Sequence, residues 1–195
     1  MAIRKIAQMG HPVLRQRAEE VPPAELSTPR VQTLIDDMIE TMRDADGAGI
    51  AAPQVHESLR IVVIEVSHNP RYPDFPGIPL TVLVNPLVSP LVGVDPLAES
   101  DAITMYEGCL SVKGLRGRVR RPRLMLVRGL DRSGREVEFR WEGVRAAVVQ
   151  HETDHLDGVL FVDRADPKTL TFLSEYDRYV PREARMVDGI EVPAD

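Results

Sequence analysis

The chain has 195 residues, 43% of them hydrophobic and 28% charged, with a net charge of −6. That length fits one domain with a full core, and the composition is that of a soluble globular protein. The acidic balance argues against broad nonspecific binding to nucleic acid, and no apolar run approaches the ~18 residues that span a bilayer.

Ser27-Thr28-Pro29 carries a helix start, a hydroxyl that can cap followed by a proline suited to the first turn. Val31, Leu34, Ile35, Met38, Ile39 and Met42 recur at helical spacing and predict an amphipathic helix, which Gly47 and Gly49 end. Residues 59–66 and 80–88 are short apolar runs that predict buried strands, and residues 69–79 between them form a loop dense in Pro and Gly. Residues 91–101 fit neither pattern, while 102–105 lead a strand toward Cys109. A basic strip follows: Lys113, Arg116, Arg118, Arg120, Arg121 and Arg123. It reads either as a solvated strand face or as a substrate or structural element.

Residues 123–130 and 135–141 flank Asp131-Arg132-Ser133-Gly134, a hairpin signal. After Glu142-Gly143, residues 144–157 predict a helix that Gly158 terminates. Residues 159–162 are a strand candidate, and Asp166-Pro167 starts a final helix through Leu170, Leu173 and Tyr176. The order predicts an α+β fold, with mainly antiparallel sheets around the helix at 144–157 and helices near both ends. Residues 1–180 are expected to form one domain and 181–195 a poorly ordered tail.

The chemistry concentrates in Gln150-His151-Glu152-Thr153-Asp154-His155. Residues four apart on a helix share a face, so His151 and His155 can aim two imidazoles at one ion, while Glu152 reaches a water on it. A catalytic site usually takes three protein ligands and keeps one position open. No histidine follows His155, but one cysteine stands in Glu107-Gly108-Cys109-Leu110-Ser111, and a thiolate suits zinc or ferrous iron. A lone cysteine leaves no internal disulfide, so a reducing compartment is the simpler reading. Gly47-Ala48-Gly49-Ile50-Ala51-Ala52-Pro53-Gln54 makes a close-fitting loop that ends in an amide donor suited to a developing oxyanion. Val144, Ala147 and Val148 share the His151 face and read as an apolar pocket wall, with Met105 a weaker candidate.

Together the three segments resemble the peptide deformylase family, which carries a Gly-x-Gly-φ-Ala-Ala-x-Gln loop, a Glu-Gly-Cys-φ-Ser segment and a Gln-His-Glu-x-Asp-His-Leu helix in that order. Gly10-His11-Pro12-Val13-Leu14-Arg15 and Leu156-Asp157-Gly158-Val159-Leu160-Phe161 also fit. Two features depart toward the organelle-like branch: Lys113 stands where members often have proline, and the connection at 55–106 is long and proline-rich. Both put the cleft's local shape in question and leave the metal chemistry intact.

The resemblance implies hydrolysis of the formyl amide of N-formylmethionyl peptides by one divalent ion held on Cys109, His151 and His155. It implies Fe2+ in the cell, and Zn2+, Ni2+ or Co2+ suit the same ligands. Glu152 is the expected general base, with Gln54 and the Leu110 N–H as oxyanion donors. Gly47, Ala48, Gly49 and Gly108 are expected to approach the peptide backbone, Arg116 falls where the family places a basic residue near it, and the apolar wall would hold the methionine. Glu107 and Gln150 are expected to orient ligands and Asp154 to pair with an arginine such as Arg121. The implied partners are formylated peptides from ribosome-proximal nascent chains, with no nucleic acid or membrane. A monomer in the bacterial cytoplasm is expected, since the N-terminus shows no signal-peptide apolar region.

Two other readings share the motif. A zinc endopeptidase would need a third ligand other than Cys109 and a long open cleft. A non-catalytic metal-stabilised module on the same scaffold would have no use for Glu152.

Overall fold

A computed structural model describes residues 2–66, 77–93, 95, 98–187 and 190–191. A short turn of helix, α1 (Pro23–Leu26), precedes the amphipathic helix α2 (Pro29–Asp44). Thr28 stands at the N-cap of α2, yet its hydroxyl donates to the Glu25 carbonyl and leaves the capping to backbone geometry and Pro29. Strands β1 (Gly49–Ala51), β2 (Ile61–Val66), β3 (Ile78–Pro90), β6 (Leu124–Leu130) and β7 (Glu136–Glu142) form an antiparallel sheet in the order β1-β2-β3-β6-β7. A second antiparallel sheet joins β4 (Ala102–Cys109), β5 (Val112–Pro122) and β8 (Thr171–Phe172). The two strand predictions at 59–66 and 80–88 and the hairpin at 123–141 correspond to β2, β3 and β6–β7. Of the loop expected at 69–79, residues 69–76 lie outside the described residues, and β3 has already begun at Ile78.

Strand β2 is apolar except for Glu65, which pairs with Arg43, because both its faces are covered. Ile61 and Val63 pack with α2, through Leu34, Ile35 and Met38. Val62, Ile64 and Val66 pack on the opposite side with Ala146, Val149 and Leu156 of the helix α3 (Val144–Leu156). Helix α3 thus lies between the two sheets, with β1, β2, β3 and β7 on one side and β5 on the other. It is buried on nearly every face, which places its polar residues inside the molecule. Gly158 ends it at φ +73, where an added Cβ would also meet the Arg15 backbone at 2.8 Å, so this position is closed to larger residues.

Three expectations fail locally. Residues 159–162 form no strand: Asp163 accepts from the Leu160 N–H, and a helical turn, α4 (Phe161–Arg164), follows with Phe161 buried. Pro167 opens only a 3-10 turn, stopped by the β8 pairing, and the last helix, α5 (Leu173–Tyr179), starts later. The tail is partly built: α6 (Arg182–Arg185) follows, and β9 (Met186–Val187) pairs with β10 (Ile190–Glu191). Residues 188, 189 and 192–195 lie outside the described residues. All of the basic strip but Arg123 lies on β5, and it is not one solvated face. Arg118, Arg120 and Lys113 are exposed, whereas Arg116 and Arg121 are buried.

Candidate metal centre

Cys109 at the end of β4 and His151 and His155 on α3 bring one ligand atom each within 4.8 Å of one another. The helix supplies the two imidazoles from adjacent turns, with ring centroids 5.3 Å apart. The Cys109 Sγ lies 3.3 Å from the His155 Nε2. A soft thiolate and two imidazoles on rigid elements fit a divalent transition metal, and the cluster can hold one ion. The His155 Nδ1 and the Glu152 Oε2 are buried without a protein partner among the described residues.

The groups around this cluster fix its orientation. Glu107 accepts from the His151 Nδ1 at 2.9 Å, which turns the Nε2 of that ring toward Cys109 and His155. The same carboxylate takes both arms of the Arg121 guanidinium, at 2.5 and 2.9 Å. Arg121 reaches on to Asp154 at 2.9 Å, and Arg164 clamps Asp154 from the surface at 2.6 and 2.7 Å. Burial alone would raise the Glu107 carboxyl, but Arg121 and then His151 outweigh it and hold it at about 2. Burial and the neighbouring His151 charge push His155 well below its ordinary value, into the neutral form a ligand needs. For His151, hydrogen bonds and charges from Cys109 and Glu107 overcome the lowering by burial and raise it. The Gln150 amide donates to the Pro122 and Ala146 carbonyls, rather than to a ligand side chain, and ties α3 to the end of β5.

Glu152 is 5% exposed. Burial is the main cause that lifts its carboxyl to about 7, so it can both take and return a proton near neutral pH. Gly49 makes room for it: a Cβ there would lie 2.5 Å from the Glu152 Oε1. Gln54 is held by its own oxygen, which accepts from the Ala51 N–H at 2.8 Å. Its amide nitrogen donates to the Ser111 Oγ at 3.2 Å and lies 3.6 Å from the Cys109 Sγ.

A cavity of about 150 Å³ opens onto this cluster, in the size range that accepts a benzene-sized group. Gly47, Ala48, Gly49, Gln54, Gly108 and Leu110 line it, and Met105, Val144, Ala147 and Val148 supply an apolar side. Arg116 also reaches it, because its guanidinium occupies the space over Gly108: a Cβ on Gly108 would fall 1.0 Å from the Arg116 Nη1. Asp46, Val66 and Tyr106 line the cavity as well and were not singled out in the sequence. Asp46 takes φ +52 just before Gly47, and an Asp-Gly pair closing a helix was a usable signal for it. Tyr106 directly precedes the Glu-Gly-Cys segment and could have been weighed with Met105.

A family model described as polypeptide deformylase matches residues 3–170. A peptide deformylase of Leptospira biflexa is 41% identical over 189 residues, spanning 96% of this chain and 100% of its own length. Peptide deformylase 1 of Prochlorococcus marinus is 44% identical over 179 residues, spanning 91% of this chain and 88% of its own length. Among solved structures, a class I type b peptide deformylase from Acinetobacter baumannii with Met-Ala-Ser bound is 39% identical, with a TM-score of 0.75 over 84% of this chain and 98% of that one.

Proposed function

This chain belongs to the polypeptide deformylase family, and from that premise we propose how its own residues carry out the reaction. The activity is hydrolysis of the formyl amide of N-formylmethionyl peptides, which releases formate and a free amino terminus. The observation that carries the assignment of roles is the buried Glu152 beside the Cys109–His151–His155 cluster.

Cys109, His151 and His155 would hold one divalent ion. When bound, it supplies an acidified water and a Lewis acid for the formyl oxygen. Glu152 accepts the proton of the attacking water and passes it to the leaving amine. Burial raises its carboxyl from the ordinary range, which suits it to both transfers. The Gln54 amide and the Leu110 N–H donate to the oxygen that gains charge; one such donor typically lowers the barrier by ~3 kcal/mol. Met105, Val144, Ala147 and Val148 take the methionine side chain, and the Gly47–Gly49 backbone pairs with the extended peptide. Glu107 keeps the His151 ring in the ligating orientation, braced by Arg121 and Asp154.

Fe2+ is the proposed ion in the cell, since a mixed thiolate and imidazole set suits it as well as Zn2+. The thiolate ligand supports a reducing location, and we place the enzyme in the bacterial cytoplasm as a monomer acting on ribosome-proximal nascent chains. The test is formate release from a formyl-Met-Ala peptide by the metal-loaded protein, with the unformylated peptide as control. Cleavage of internal peptide bonds without formate release would instead favour an endopeptidase.

A further inference from the structure

We propose that helix α5 backs the substrate cleft through Tyr106, and that Tyr176 is a positioning residue that sets affinity for the residues following the methionine. The proposal rests on the deformylase reading and adds to it an element distant from the metal in sequence.

Tyr106 and Arg116 both line the cavity, and they occupy one face of the β4–β5 sheet. Tyr106 pairs with Arg118 on β5, and Arg116, two residues before Arg118, falls on the same face. The Arg116 guanidinium covers Gly108, and it therefore lies next to Tyr106 on that face. With the formyl group near Cys109 and the methionine side chain directed to the α3 wall, the rest of the peptide is taken past Tyr106 and Arg116.

Helix α5 packs behind these two side chains. The pairing of Arg116 with Thr171 and Leu115 with Phe172 fixes where it begins. Tyr176 is 0% exposed, the largest fully buried side chain among the described residues. Its ring meets the Tyr106 ring edge to face, with centroids 5.0 Å apart and planes at 73°. Arg185 closes the other side. Its guanidinium lies 4.8 Å from the centre of the Tyr176 ring and donates to the carbonyls of Tyr176, Asp177 and Val180. Tyr106 thus has a cavity on one side and a locked ring on the other. Without Tyr176 its ring would have space to turn away from the cleft. Tyr176 is not among the residues that line the cavity, so the effect should fall on peptide binding and not on the chemical step.

The test uses the full-length, metal-loaded protein, with Tyr176→Leu, Tyr176→Ala and Tyr176→Phe as variants. Substrates are formyl-methioninamide and formyl-Met-Ala-Ser. Loss of one edge-to-face pair predicts a KM about 5-fold higher for the longer substrate in Tyr176→Leu and Tyr176→Ala. KM for formyl-methioninamide, kcat on both substrates and bound metal per chain should stay within about 2-fold. Tyr176→Phe, which keeps the ring against Tyr106, should stay closer to the wild-type KM than Tyr176→Leu does. Calorimetric affinities of methioninamide and Met-Ala-Ser supply a readout that needs no turnover: the wild type should prefer Met-Ala-Ser, and the leucine variant should lose that preference. A wild type that binds Met-Ala-Ser yet releases no formate would overturn the roles assigned to the metal site and leave this proposal standing. Equal losses on both ligands, a fall in kcat with KM intact, or an unchanged preference in the variants would each overturn it. If Tyr176→Ala does not fold, Tyr176→Leu against Tyr176→Phe decides.

Discussion

Replacing Glu107 with glutamine tests whether the metal centre is braced by charge. The variant keeps the shape of the side chain, and its amide oxygen can still accept from the His151 Nδ1. It removes one charge from the Glu107–Arg121 pair, whose side chains are 6% and 3% exposed. A carboxyl held at about 2 instead of 4.5 stabilises the folded chain by roughly 3 kcal/mol at neutral pH. Breaking a buried pair by removing one partner costs about 3–5 kcal/mol, and Asp154, still bonded to Arg121, keeps the loss at the lower end. For a chain of this length that is a fall in Tm of roughly 6–12 °C. Urea unfolding of the metal-free protein, wild type against Glu107→Gln, measures the difference without the metal's own contribution. The folded pKa is depressed, so the stabilisation is complete above pH 4.5 and is lost as pH falls through about 2. The gap between the two proteins should therefore be about halved by pH 3. Metal affinity should fall about 10–100-fold, because the orienting acceptor of a ligand has been weakened. Coincident unfolding midpoints at pH 7, or a gap still full at pH 3, would refute the reasoning.

Glu152→Gln should retain stoichiometric metal and lose turnover by about 10²–10⁴-fold. In the wild type, kcat/KM should decline on the acid side as this carboxylate is protonated, at a pH that the bound cation sets below 7. An acid limb that persists in Glu152→Gln would assign it to another group. Cys109→Ala should abolish both tight metal binding, measured by metal content after dialysis, and formate release. An endopeptidase with a different third ligand would survive the change. Gly49→Ala places a methyl group 2.5 Å from the Glu152 Oε1. It should lower kcat with metal content unchanged, and wild-type kcat in that variant would mean that Glu152 has freedom the packing denies it.

The site was legible because each of its parts is local. His151 and His155 need only helical spacing, and the residues that make 144–157 a helix also make it apolar enough to be buried. Helix α2 was legible for the same reason, since its core face repeats over several turns. Strand β5 was harder. Gly114, Gly117 and its cations obscure the alternation, and which cations are buried depends on partners elsewhere in the chain. Arg121 is interior because Glu107 and Asp154 meet it, and Gly108 leaves the space that the Arg116 guanidinium occupies. Residues 159–162 have strand composition, but the Asp163 carboxylate captures the Leu160 N–H and tips the backbone into a helical turn. The final helix was placed too early because Asp166-Pro167 is a good start signal. The structure uses it for a 3-10 turn, in which Asp166 accepts from the Lys168 N–H, and pairing with β5 then prevents its continuation.

These misses share a cause that bears on function. The metal, the base and the loop at 47–54 are specified by short segments. The cleft beyond them is assembled from Tyr106, Arg116 and α5, which lie in register only once β5 has paired with both β4 and β8. Substitutions in β8 or α5 can therefore alter which peptides are held without touching a motif residue. Variation in substrate preference among chains that share all three motifs should map to that face, whereas variation in the chemical step should map to the packing around Glu152 and Glu107.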